Sequence, residues 1–198
     1  QWHVVNAVKI LRDEGIAVTI TLVGGGSGYS QKRLEKEIQL LDPTGTFVTQ
    51  YSFIHIDNIP GVLSESDLFI FASSCENMPV TLIEGMASGL PIACSDRGPM
   101  PEVLGDGGVY FNPESPQSIA DAVKRIIDNK DLRAKGIEVS KQISNQYLWK
   151  INSQKTFQFL TDTVQNPTHL FSSQLFLKLF LMQELVLNPL KMDQRHKL

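Results

Sequence analysis

Glu76 and Glu84 are the residues of this chain whose types and spacing most clearly suit chemistry. They stand eight positions apart, with Pro79 between them where a helix can open. A carboxylate accepts two hydrogen bonds at once and suits a vicinal diol, so a pair of them suits a polyhydroxylated ligand. The preceding run, Asp67-Leu-Phe-Ile-Phe-Ala72, is short, apolar and aromatic-rich, and reads as a buried strand. Residues 79–88 read as a helix closed by Gly89. Glu76 then lies on a loop at the carboxyl end of a strand and Glu84 on the helix that follows. That edge is where open α/β sheets bind ligands.

The rest of the chain supplies the frame. A helix over 1–14 is closed by Gly15, and the β-branched run 17–23 reads as a strand buried on both faces. The glycine loop 24–28 leads into a helix near 30–41 with Leu34, Ile38 and Leu41 on one stripe. A strand follows at 47–54, then a short helix that Asp57 or Asn58 can cap. After strand 67–72 and helix 79–88 come a strand at 90–94, a brief helix at 102–104 and a strand at 109–111. Ser115-Pro116 is a strong helix start, and Ile119, Val123, Ile126 and Ile127 carry an apolar face onward to Asn129. Helices near 131–145 and 149–163 complete the pattern. Such alternation predicts an α/β fold, a Rossmann-like parallel sheet with helices on both faces, over residues 1–165.

Composition narrows the class. A net charge of −3 and the lack of any dense basic run argue against a nucleic-acid partner. Cys75 and Cys94 are too far apart for a local metal knuckle and read as reduced thiols of an intracellular chain, with Cys75 a small filler beside the pocket. No metal site is expected. Residues 170–187 are rich in Leu and Phe but broken by Gln174, Lys178 and Glu184, too polar for a membrane span. This tail of uncertain structure, 166–198, could pack on a neighbour, anchor at an interface or be unnatural.

Residues 67–111 closely resemble the donor-binding half of retaining GT-B glycosyltransferases, the group 1 family. The matching segments are Phe71-Ala-Ser-Ser-Cys-Glu76, Glu84-Gly-Met-Ala-Ser-Gly-Leu-Pro91, Ile92-Ala-Cys-Ser-Asp96 and Pro101-Glu-Val103. A weaker likeness runs from residue 1 to about 163, through Val23-Gly-Gly-Gly26 and Tyr147-Leu-Trp149. The resemblance implies that Glu84 binds the ribose hydroxyls of a nucleotide sugar and that Glu76, the catalytic-site carboxylate, contacts the donor hexose. It places the diphosphate against Asn77, Met78 and Pro79 and the amides of Val80, Thr81 and Leu82, at a helix N-terminus. It puts the base near Ile54 and His55, held largely by backbone atoms. Gly25 and its neighbours form either a simple tight turn or a backbone lining of the donor cleft, and His55 is equally readable as an ordinary strand-end residue. Asp96 and Glu102 fit loop-capping roles.

The family's diphosphate-binding Arg and Lys, its first strand and its acceptor-binding N-terminal domain all precede the matched region. Residue 1 therefore reads as a fragment boundary. The implied activity is transfer of a hexose from a UDP- or GDP-sugar to a saccharide or lipid-linked acceptor, without a cofactor beyond the nucleotide-sugar substrate. The implied place is the cytoplasm, with room for peripheral association at the inner face of the membrane. A GT-B sugar-nucleotide epimerase and a non-catalytic nucleotide-binding domain are the alternatives.

Overall fold

The computed structural model describes residues 1–165. Residues 166–198, and with them the Leu- and Phe-rich segment, lie outside the described residues. The chain divides into a compact unit, Gln1–Ser144, and a second unit that begins at Asn145.

The first unit opens on α1 (Trp2–Asp13), whose buried residues Val4, Val5, Ala7, Val8 and Leu11 follow helical spacing. Its end is a Schellman motif. Gly15, at φ +88°, donates its amide to the Arg12 carbonyl, while the Ile16 amide reaches back to Leu11. Then come β1 (Ile20–Val23), α2 (Tyr29–Leu41), β2 (Val48–Tyr51) and, after a 3₁₀ turn at Ile56–Asn58, α3 (Ile59–Ser64). The site segment follows as β3 (Phe69–Phe71), α4 (Val80–Ser88), β4 (Ile92–Ser95), α5 (Met100–Leu104) and β5 (Val109–Phe111). α6 (Pro116–Asp128) and α7 (Lys130–Ser144) close the unit. Ser115 caps α6 as expected, its Oγ accepting the Ser118 amide at 3.2 Å.

All strand pairs are parallel, but they form two sheets, β1–β2 and β3–β4–β5. The sequence alternation predicts one sheet; β1 and β3 instead share no ladder, so each keeps one open edge. A common core still joins them, because Ile20 of β1 and Ile70 of β3 pack against the cluster built on Leu11, Ala93, Phe111 and Ile119. The expectation that the first strand is buried on both faces also fails. Thr21 and Val23 are exposed, and only Leu22 is buried. β4 is the strand buried at all four positions, the mark of a strand covered on both faces. α1 packs with α2 and α6, while α4 packs with α3, α5 and α7.

The seat of α4 decides where Glu84 stands. Leu82, Gly85 and Met86 form its buried stripe. A Cβ on Gly85 would come within 2.6 Å of the Phe69 ring, so the missing side chain is what lets α4 lie close to β3. Gly89 closes the helix in the left-handed region at φ +80°. We expect Gly85→Val to lift α4 off Phe69 at a cost of about 1–3 kcal/mol, read as a lower urea midpoint with an unchanged m-value.

In the second unit a 3₁₀ turn at Asn145–Tyr147 leads into α8 (Trp149–Gln165). Asn152 ties its first turn to the Tyr147 carbonyl at 3.1 Å. Trp149, Phe157 and Val164 are exposed.

Candidate functional site

The loop between β3 and α4 carries Glu76, and α4 itself carries Glu84. Glu76 is half-buried on the loop, and Glu84 stands on the exposed side of α4, away from the Leu82–Met86 stripe. Neither carboxylate makes a hydrogen bond or ion pair among the described residues. Enough protein nevertheless crowds the Glu84 carboxyl that burial raises its pKa above that of a free glutamate. A partly desolvated carboxylate with no partner gains by meeting a ligand that donates hydrogen bonds, and perturbed groups of this kind mark functional sites.

The helix N-terminus differs in detail from the sequence expectation. Pro79 is buried and serves as the N-cap residue, so α4 begins at Val80. Two of the three amides expected to meet a diphosphate are already used. Val80 donates to the Met78 carbonyl at 2.9 Å and Leu82 to the Pro79 carbonyl at 3.0 Å. The tight first turn at Pro79, with ψ 73°, consumes them. The amides of Asn77, Met78 and Thr81 make no hydrogen bond among the described residues, which leaves two loop amides and one helix amide as free donors. The side chains of Asn77, Val80 and Thr81 are exposed and that of Leu82 is fully buried, a core residue.

Loops after neighbouring strands back this segment. Gly98, following β4 and left-handed at φ +51°, lies beside Glu76: a Cβ there would stand 4.0 Å from the Glu76 carbonyl oxygen. Arg97 donates to the Asn112 carbonyl oxygen Oδ1 at 3.1 Å, tying the loop after β4 to the one after β5. Ser95 Oγ, rather than Asp96, caps the turn by accepting the Arg97 amide at 3.2 Å, while Asp96 pairs with Arg97 Nε at 3.3 Å. Cys75 is exposed on the site loop rather than a filler, and the buried Cys94 has its thiol pushed up to about 12 by burial, an inert group.

Gly25, Ile54 and His55 form a second group. A Cβ on Gly25 would meet the Ser52 carbonyl at 2.8 Å, so the glycine lets the loops after β1 and β2 touch. Ile54 is half-buried, and His55 is exposed beside Asp57, its Nδ1 accepting the Asp57 amide at 3.4 Å. His55 thus caps the 3₁₀ turn, while Asn58 stands at the N-cap of α3 without a side-chain cap bond. Exposed Tyr51 and Phe53 flank Ser52. The structure joins Glu76, Asn77, Met78, Pro79 and Glu84 on one loop–helix unit and joins Gly25 to the strand end before Ile54. Both groups lie beyond the carboxyl ends of parallel strands.

Neither carboxylate lines either of two cavities found elsewhere in the first unit. One, of about 510 Å³, lies beside α6 at Asp121, Lys124 and Arg125. The other, of about 350 Å³, lies at the amino end of β5 between Gly108 and Arg133. The loop–helix segment holding Glu76 and Glu84 keeps unpaired carboxylates and amides among the described residues.

Asp42, unremarkable in the sequence, holds the group of Gly25, Ile54 and His55 indirectly. It ends α2, is 4% exposed, and accepts the amides of Thr46, Phe47 and Val48 and the Thr46 hydroxyl at 2.7–2.9 Å. Burial alone would raise its pKa, but these four bonds bring it down to about 2. They fix the entry into β2 and hence the strand that delivers Ser52, Ile54 and His55.

A family model described as Glycosyl transferases group 1 matches residues 1–143. The chain is 24% identical over 102 residues to the O-antigen chain mannosyltransferase B of Escherichia coli, covering 50% of this chain and 27% of that protein. It superposes on the Anabaena protein HepE, solved in complex with UDP-glucose, with a TM-score of 0.69 at 22% identity, over 81% of this chain and 45% of the other. The C-terminal domain of a group 1 glycosyl transferase from Francisella tularensis gives 0.63 at 21% identity, covering 73% and 77%. The chain thus spans about a quarter of the length of the E. coli relative and under half of HepE.

Proposed function

The chain belongs to the group 1 glycosyl transferases, and on that premise we propose that residues 1–165 form the donor-binding half of a retaining hexosyltransferase. In this reading a UDP- or GDP-sugar lies across the loop–helix unit after β3. Glu84 accepts hydrogen bonds from the ribose hydroxyls, Glu76 holds hydroxyls of the hexose, and the free amides of Asn77, Met78 and Thr81 face the diphosphate. The base sits by Gly25, Ile54 and His55. The departing phosphate assists attack of the acceptor from the same face, which keeps the anomeric configuration. Cations ahead of these residues, rather than a divalent ion, answer the diphosphate charge. A strand between the open edges of β1 and β3 completes the sheet, and an acceptor-binding domain completes the cleft. The acceptor is a saccharide or a lipid-linked molecule, in keeping with the O-antigen relative, and the enzyme works in the cytoplasm, with room for peripheral association at the inner face of the membrane. Among the described residues no helix is long and apolar enough to cross a membrane.

The observation that carries this reading is the pair of unpartnered carboxylates on one loop–helix unit, with Glu84 partly desolvated. The test is calorimetric titration of the 198-residue chain with UDP, GDP and their sugar conjugates. We expect weak, saturable binding of a nucleoside diphosphate and no transfer by this chain alone. Binding of none of them would return the protein to the non-catalytic alternative. Acceptor-free conversion of a UDP-sugar would favour the epimerase.

A further inference from the structure

We infer that Arg97 is a positioning residue that sets sugar discrimination by holding the loop behind Glu76. This inference rests on the donor reading of Glu76 given above. Arg97 lies outside the carboxylate segment, on the turn after β4, and its guanidinium is gripped from two sides. Nη2 donates to Asn112 Oδ1 at 3.1 Å and Nε lies 3.3 Å from Asp96 Oδ1. Asn112 is itself fixed, because its Oδ1 also accepts the Glu114 amide at 3.0 Å and its own amide donates to Ser118 Oγ at 3.0 Å. Ser118 belongs to the capped first turn of α6. Arg97 is thereby tied through Asn112, by an exposed hydrogen bond, to the capped first turn of α6.

What this anchor holds in place is Gly98. The next residue after Arg97 turns left-handed, and a Cβ built on it would stand 4.0 Å from both the Glu76 carbonyl oxygen and the methyl of the fully buried Met100. Glu76 makes no side-chain bond of its own among the described residues, so its carboxylate is placed only by its loop, which passes beside Gly98. Glu84 differs, since it stands on α4, whose Gly85 lies against Phe69 of β3. Loosening Arg97 should move the hexose-binding carboxylate and leave the ribose-binding one where it is. A carboxylate–hydroxyl hydrogen bond is lost with small displacements because its energy falls steeply with geometry.

The test measures, for the 198-residue chain, the ratio of the dissociation constant for UDP to that for UDP-glucose, and the same ratio for GDP and GDP-mannose. In the unsubstituted protein the sugar should tighten binding in one of the pairs, and Glu76→Gln should abolish that gain. Arg97→Ala and Asn112→Ala should each cut the gain by about three- to tenfold, the scale of one hydrogen bond, with diphosphate affinity held within about twofold. Their double variant should lose no more than either alone. Arg97→Lys and Asn112→Asp, which keep a donor and an acceptor, should restore most of it. A sugar gain that survives Arg97→Ala overturns this inference alone. Equal weakening of diphosphate and sugar nucleotide, with a lower Tm, also overturns it, showing only a structural tie. Absence of any sugar gain in the unsubstituted chain, or its survival in Glu76→Gln, overturns the reading of Glu76 and this inference with it.

Discussion

Glu84→Gln should weaken nucleoside diphosphate binding by about tenfold to a hundredfold, the worth of a charged hydrogen bond of about 1.5–3 kcal/mol, while leaving the fold intact. The substitution keeps size and one acceptor but removes the charge. Glu84 makes no bond among the described residues and lies off the buried stripe of α4, so its loss costs the fold nothing visible in the structure. The charge is in fact a slight burden on the free protein, because burial has raised its pKa. For a raised acid the protonated form favours folding, so whatever Glu84 contributes is present at low pH and fades as pH rises through its folded-state value. Ligand binding runs the other way. The ionised form accepts the hydroxyl hydrogen bonds, so affinity should fall with acidification in a pH range above that of an ordinary glutamate. Titration of affinity against pH checks the sign, and Glu84→Gln should flatten that part of the profile.

Asp42→Asn should cost about 3 kcal/mol of stability, because four donors aimed at one carboxylate meet a neutral amide whose NH₂ repels some of them. The depression of its pKa from 3.8 to about 2 corresponds to about 2 kcal/mol of stability at neutral pH. A depressed acid contributes its share above the unfolded pKa and loses it as pH falls through the folded one. Urea midpoints should therefore drop between about pH 4 and pH 2 in the unsubstituted chain, with much of that drop missing in Asp42→Asn. The clamp sets the entry to β2, so the variant should also blunt base-dependent discrimination at Gly25, Ile54 and His55.

Much of the frame was legible because its signals are local. Gly15 and Gly89 end helices where a left-handed residue is needed, and Ser115-Pro116 opens α6 with the expected cap. The carboxylate frame was legible too, since a strand, loop and helix in direct succession need no distant information. What the sequence hid depends on three dimensions. Asp42 looks like an ordinary turn residue before Pro43, and its four donors converge on it only after α2 and β2 are placed. The split between β1 and β3 is a matter of strand pairing between residues far apart in the chain. The amides of Val80 and Leu82 were misjudged because the tightness of the turn at Pro79 is set by ψ, which residue type does not fix. The tie from Arg97 to Asn112 spans fifteen positions and could be seen only once β4 and β5 lay side by side.

The central claim, that Glu84 grips a ribose diol, is tested most directly by comparing UDP and GDP with their 2′,3′-dideoxy analogues on the unsubstituted chain and on Glu84→Gln. The account predicts that removing the ribose hydroxyls weakens binding to the unsubstituted chain by at least about tenfold and scarcely changes binding to the variant. Equal losses in both proteins would contradict it, because the hydroxyls would then be held by something other than Glu84.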